Sequence, residues 1–147
     1  MTFQEVSRSL REHPLVEHGT GATADEIARA ERDLAVTFPT NYRLYLREFG
    51  WIEIGSAELF GLGHDVPFHL DLVRITVSER TEMHPLTPHN LIPLLNDGGG
   101  NLACLDTSRS EQGDCPVVFQ DHELDEIRDV CGSFLAWLVE EMALHTP

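Results

Sequence analysis

Apolar residues recur three and four positions apart in several stretches of this chain, and they cluster in short runs elsewhere. Phe3, Val6 and Leu10 give a short amphipathic helix over 2–12. The segment HPLVEHGTGA breaks it with Pro14, Gly19 and Gly21. A second helix opens at Thr23, with Glu26 as capping-box partner, and Ile27, Ala30 and Leu34 form its apolar stripe. AVTFP ends it. Pro39 opens a third helix with Tyr42, Tyr45, Leu46 and Phe49 on one face, and Gly50 stands where a left-handed cap belongs. WIEIGSAELFGLG reads as one or two short strands. Residues 66–83 fit both periods, and the polar continuation SERTEM favours helix. HPLTPHN is a loop. LIPLLN, NLACLD and PVVFQD read as three strands. CGSFLAWLVEEMALH closes the chain as a helix capped by Ser133, with Phe134, Trp137, Leu138 and Met142 on one face.

Helices first, then strands, then a helix make one α+β domain over 1–147, a length that buries one core unaided. Between two of the strands lies NDGGGN, residues 96–101. A phosphate loop would lead into a helix and carry a basic residue; this one leads into a strand and starts with Asp97. A calcium loop needs acids at alternate positions, and Gly98, Gly99 and Gly100 follow instead. Asp-Gly between apolar runs is a hairpin turn. The glycines are expected to supply positive φ, so Gly99→Val should destabilise the fold.

Charge changes the picture most. Ten basic residues, all Arg, face 25 acidic ones, for a net charge of −15. Such a surface repels nucleic acid and anionic membranes and attracts a basic protein. No apolar run reaches the roughly 18 residues of a membrane helix, and MTFQEVSRSLREHP is not a secretory signal, so the expected compartment is the cytoplasm. Cys104, Cys115 and Cys131 form neither a disulfide framework nor a zinc pattern and are read as reduced thiols, with Cys104 in the core. Of the two tryptophans, Trp137 belongs to a helical stripe, and Trp51 follows Gly50 as core or as an exposed anchor.

The chemistry-bearing residues are few. His64-Asp65 and His69 lie close together, and Asp121-His122-Glu123 follows a strand. Neither matches HExxH or the zinc-deaminase signature, and there is no GxSxG nucleophile elbow. A small metal-dependent hydrolase using His122 with Asp121 or Glu123 is therefore the enzymatic alternative.

The ordered motifs resemble the SUKH superfamily of Smi–Knr type over roughly residues 22–140. They are Pro39 with Tyr42, then Phe49-Gly50; Asp97 to Gly100, then a strand ending in Asp106; Pro116-Val117-Val118-Phe119 before Asp121-His122-Glu123; and Ser133-Phe134 before the last helix. Gln120 departs from the pattern, which often has Trp or Tyr there, and His64 to His89 matches no motif. The resemblance implies a central, mostly antiparallel sheet with N-terminal helices and a C-terminal helix packed on it. For bacterial members it implies an immunity protein that binds and neutralises a cognate toxin domain, often a nuclease or deaminase. Some eukaryotic members are instead regulators of cell-wall signalling. Neither branch implies a catalytic site, a cofactor or a metal. The expected partner is a basic toxin domain. Glu53, Glu58, Asp65, Asp71, Glu79, Glu82, Glu111 and Asp114 are the acids expected to meet it, and a general protein-interaction module is the alternative.

Overall fold

A computed structural model describes residues 1–147. In chain order the elements are α1 (Phe3–Glu12), β1 (Val16–His18), α2 (Ala24–Leu34), α3 (Thr40–Glu48), β2 (Ile52–Ile54), β3 (Ala57–Leu59), α4 (Leu72–Thr81), β4 (Leu91–Asn96), β5 (Leu102–Asp106), β6 (Val117–Asp121), β7 (Glu126–Cys131) and α5 (Phe134–Leu144). Single 3-10 turns lie at Phe68–Leu70 and Thr107–Arg109. The seven strands form one sheet whose spatial order is the chain order, and every neighbouring pair is antiparallel.

Local chemistry sets the helix ends. Thr2 with Glu5 and Thr23 with Glu26 each make a reciprocal capping box, and Ser133 accepts from the Ala136 N–H at the start of α5. Pro39 stands one place earlier than the first helical turn, as the N-cap of α3. Gly50 has φ +76°, and a Cβ on it would lie 2.7 Å from the Leu62 carbonyl oxygen, so both backbone conformation and space require glycine.

Alternation along the strands splits the sheet into two faces. One presents Ile52, Ile54, Leu59, Ile92, Leu105 and Val117 to the main core, where residues of α1, α2, α3 and α5 meet them. Its centre is aromatic. Tyr42 packs edge-on to Phe38 and Phe134 at 5.2 and 5.3 Å and stacks on Tyr45 at 5.5 Å. Ring contacts of this kind add roughly 0.5–1.5 kcal/mol each beyond area burial. The other face gathers Leu91, Leu102, Cys104 and Val118 in a smaller cluster. At its border Thr87 donates to the Gln120 side chain at 2.7 Å, and the Gln120 amide donates to the Leu86 carbonyl. Gln120 thus has a buried polar role of its own.

Two strands escape sequence reading. Val16–His18 lies in the segment taken as a break, and Glu126–Cys131 has almost no apolar face to announce it. Burial pushes the Cys104 thiol up, and burial with the neighbouring Asp114 charge pushes that of Cys115 up to about 12; neither is an activated thiol. No helix is long and apolar enough to cross a membrane.

Candidate functional site

The glycine loop joins β4 to β5 as a hairpin. The Asp97 N–H donates to the Asn101 carbonyl at 3.0 Å, and Asp97 Oδ1 accepts from the N–H groups of Gly99 and Asn101 at 2.8 and 3.2 Å. Asn96 Oδ1 accepts from Gly98 at 2.8 Å, and the Asn101 side-chain amide donates to Asp97 Oδ2 at 2.9 Å. Desolvation works to raise the Asp97 pKa, but these hydrogen bonds, led by the Asn101 side chain, together with His122 hold it below the usual carboxylate range. Positive φ falls on Gly98 (+90°) and Gly100 (+95°), while Gly99 has an ordinary φ. The expectation for Gly99 is therefore corrected: its two neighbours carry the strain.

The loop is tied to the β6–β7 turn. The His122 N–H donates to Asn101 Oδ1 at 3.0 Å, and His122 Nδ1 lies 2.7 Å from the same oxygen. Asp121 Oδ1 accepts from the N–H groups of Glu123 and Leu124, both at 3.0 Å, and Arg128 approaches its other oxygen. The Leu124 and Glu123 N–H groups and Arg128 hold the Asp121 carboxyl below its ordinary range. Asn101 and His122 thus tie the two neighbouring hairpins together, with Asp97 and Asp121 each fixing its own turn. Asp121 and His122 serve the turns, and Asp121, His122 and Glu123 do not converge as metal donors. The structure gathers three such side chains elsewhere: Glu53 and Glu58, directly opposite each other across β2 and β3, with His69. Their donor atoms lie within 4.8 Å of one another. His69 Nε2 is 2.7 Å from Glu58, and both side chains are about half exposed, which makes an ordinary surface pair.

Asp106 ends β5 as the motif requires. Its carboxylate accepts from the Asn90 amide, the Ser108 hydroxyl and N–H, and Arg109 Nε. Desolvation raises its pKa, and these donors, Ser108 foremost, outweigh it and hold the group low. Arg109 continues to both oxygens of Asp129 on β7, at 3.0 and 2.6 Å, so one guanidinium joins β5 to the last strand.

The eight acids expected to meet a partner divide sharply. Asp71 caps α4, accepting from the N–H groups of Val73 and Arg74. Asp65 accepts from the Thr20 N–H and from Trp51 Nε1 at 3.2 Å, which places Trp51 against the core rather than out in solvent. Asp114 is more committed still. It accepts from the N–H groups of Cys115 and Phe134 at 2.7 Å, from the Leu135 N–H and from the Asn41 amide. These three hold backbone in place. Glu79 is partly buried on α4, and that burial pushes its pKa up. Glu53, Glu58, Glu82 and Glu111 keep accessible carboxylates on separate elements, with Glu58 paired to His69.

A recess of about 610 Å³ between α1 and α3 is lined by Arg8, Arg11, Arg47, Glu12 and Glu48 among others; it mixes both signs and holds no catalytic set. From Asp121 to Asp129 there are five acids against one arginine, with exposed Leu124 and Ile127 between them.

Committed polar groups thus lie inside, and unpaired acids lie outside. The family model SUKH_5, described as SMI1-KNR4 cell-wall, matches residues 3–143. The chain belongs to the SUKH superfamily. The match runs from α1 into α5, wider than the 22–140 its motifs marked. In this SUKH protein the motif residues sort into two structural groups. Pro39, Tyr42, Phe49, Gly50 and Phe134 build the aromatic core and its entry, and Asp97 to Gly100, Asp106, Asp121 and His122 brace the hairpins. Membership is consistent with a protein-interaction role.

Proposed function

We propose that this SUKH protein is an immunity protein that binds and neutralises a cognate toxin domain acting on nucleic acid. The observation that carries the reading is family membership across nearly the whole chain. The net charge of −15 supports it. A toxin that grips phosphates needs a cationic cleft. An acidic protein meets such a cleft quickly through long-range attraction and then blocks it sterically, with no turnover. Neutralisation takes place in the cytoplasm, before the toxin reaches its substrate.

The test is affinity capture from the native host at 50 and 500 mM salt, read by mass spectrometry. One dominant basic partner, held at low salt and released at high salt, supports the reading. Co-expression should then restore growth to cells carrying that partner. Several weak partners of mixed charge would refute immunity and assign the chain to general regulatory scaffolding.

A further inference from the structure

β1, β2 and β3 set three glutamates in register. Glu17 lies directly opposite Glu53, and Glu53 directly opposite Glu58. Residues paired in this way project from the same face of a sheet, and like charges there repel. Along β2 the row alternates with the fully buried Ile52 and Ile54, so the glutamates stand on the side away from the main core. No arginine forms an ion pair with Glu17, Glu53 or Glu58. Arg74, the arginine nearest in sequence to the Phe68–Leu70 turn, donates to the Phe68 carbonyl at 2.9 Å and lies over the Phe68 ring.

The group that does approach the row is an imidazole. Backbone bonds fasten the Phe68–Leu70 turn beside the end of β3: the Gly61 N–H donates to the Leu70 carbonyl and the Leu72 N–H to the Gly61 carbonyl, both at 2.9 Å. His69 Nε2 thereby lies 2.7 Å from Glu58. That pair is an ordinary surface contact by itself, and it leaves Glu53 uncompensated. A third donor joins it, since one atom from each of Glu53, Glu58 and His69 lies within 4.8 Å of the other two. Zinc holds nitrogen and oxygen donors at about 2.0–2.2 Å, so donors that share one ion lie roughly 3.3–3.6 Å apart. Partly exposed side chains close the difference by small rotations. The three donors stand on β2, β3 and a turn bonded to β3's continuation, so their convergence follows from the fold. An imidazole with two carboxylates suits zinc better than magnesium or calcium, which take oxygen donors.

We propose that Glu53, Glu58 and His69 form a zinc-binding site on the outer face of the sheet, with a fourth position open to water. His69 Nε2 exchanges its contact with Glu58 for the ion, and the two carboxylates balance the charge of the ion. The ion then pins the Phe68–Leu70 turn, and α4 behind it, to β2 and β3. The site needs no catalysis and stands apart from toxin neutralisation.

Isothermal titration of the full, tag-free chain with zinc chloride tests the site, with magnesium chloride as control and thermal melts alongside. One zinc per chain and a raised Tm are expected, and magnesium should produce neither. His69→Gln and Glu53→Gln should each weaken zinc binding at least tenfold. His64→Gln, at another exposed histidine, should change it less than twofold. Glu53→Gln carries a second signature. With one of the opposed charges removed, its metal-free Tm should equal or exceed the parent's, while zinc no longer raises it. No zinc binding, zinc binding that survives His69→Gln, or an equal response to magnesium overturns the proposal. So does a Glu53→Gln chain that loses metal-free stability yet binds zinc as the parent does, which would make Glu53 a structural residue only.

Discussion

Replacing the three loop glycines by alanine, one at a time, separates backbone strain from contact. At Gly98, φ is +90° and a new Cβ meets nothing within 4 Å, so only conformation is penalised. A non-glycine residue held in such a region costs about 1–2 kcal/mol. At Gly100, φ is +95° and the Cβ would also sit 3.2 Å from the His122 ring, which Asn101 holds in place. Strain and contact together bring that cost to about 2–3 kcal/mol. At Gly99, φ is ordinary and the Cβ meets only Asp97 Oδ1 at 3.4 Å. There, loss of unfolded-chain entropy should leave Gly99→Ala neutral or up to about 1 kcal/mol more stable. A domain of this size moves its Tm by roughly 2–4 °C per kcal/mol, so Gly100→Ala should lose about 4–12 °C while Gly99→Ala stays within about 4 °C of the parent. Thermal and urea melts, with m compared between variants, make the measurement. A Gly99→Ala as damaging as Gly100→Ala would refute the assignment of strain. Neutral behaviour at all three positions would refute the lock itself.

Three other outcomes are expected. Tyr42 Oη and Thr76 Oγ1 are buried without a hydrogen-bond partner, so Tyr42→Phe and Thr76→Val should each raise stability by about 1 kcal/mol in urea melts; a loss of that size would mean the hydroxyls are satisfied in solution. Asp114→Ala removes the acceptor of the Phe134 and Cys115 N–H groups and should cost about 2–4 kcal/mol, with α5 amides exchanging faster than those of β4; uniform exchange would refute its local role. Acid should destabilise the fold through Asp97, Asp106, Asp121 and Asp129, whose pKa values are lowered on folding. A lowered carboxylate contributes stability that is complete above its unfolded pKa near 4 and is lost as pH falls through the folded value. Glu79 and Glu141 are raised by burial, so their contribution is complete below the unfolded value and is lost as pH rises through the folded one. Urea midpoints should therefore peak in mild acid and fall steeply below about pH 4. Asp106→Asn should flatten that acid limb, and an unchanged limb would count against the Asp106 assignment.

Much of the fold was legible because it rests on local physics. The capping box at Thr23 acts within one helical turn, and the stripes of α1, α2 and α3 are periodic because one face of each is buried. The three-strand run from Leu91 to Asp121 shows as apolar density, since both faces of its middle are covered. The hairpin at NDGGGN follows from turn chemistry alone. β7 left no such trace, because an edge strand with no buried face has nothing to alternate with, and β1 is too short to show a period.

The acids divide along the same line. Sequence determines that the chain is strongly negative, because net charge is a sum over residues. It does not determine which carboxylates are free. Asp65, Asp71 and Asp114 look like Glu53 and Glu111 in the sequence, yet only the former meet backbone N–H groups, up to 45 residues away in the case of Asp65 and Thr20. Likewise Asp97 and His122 are recognisable as motif residues, but their shared partner Asn101 emerges only when the two hairpins lie side by side. Hydrogen bonds between distant segments depend on register and packing, and those are fixed only once the whole sheet has formed.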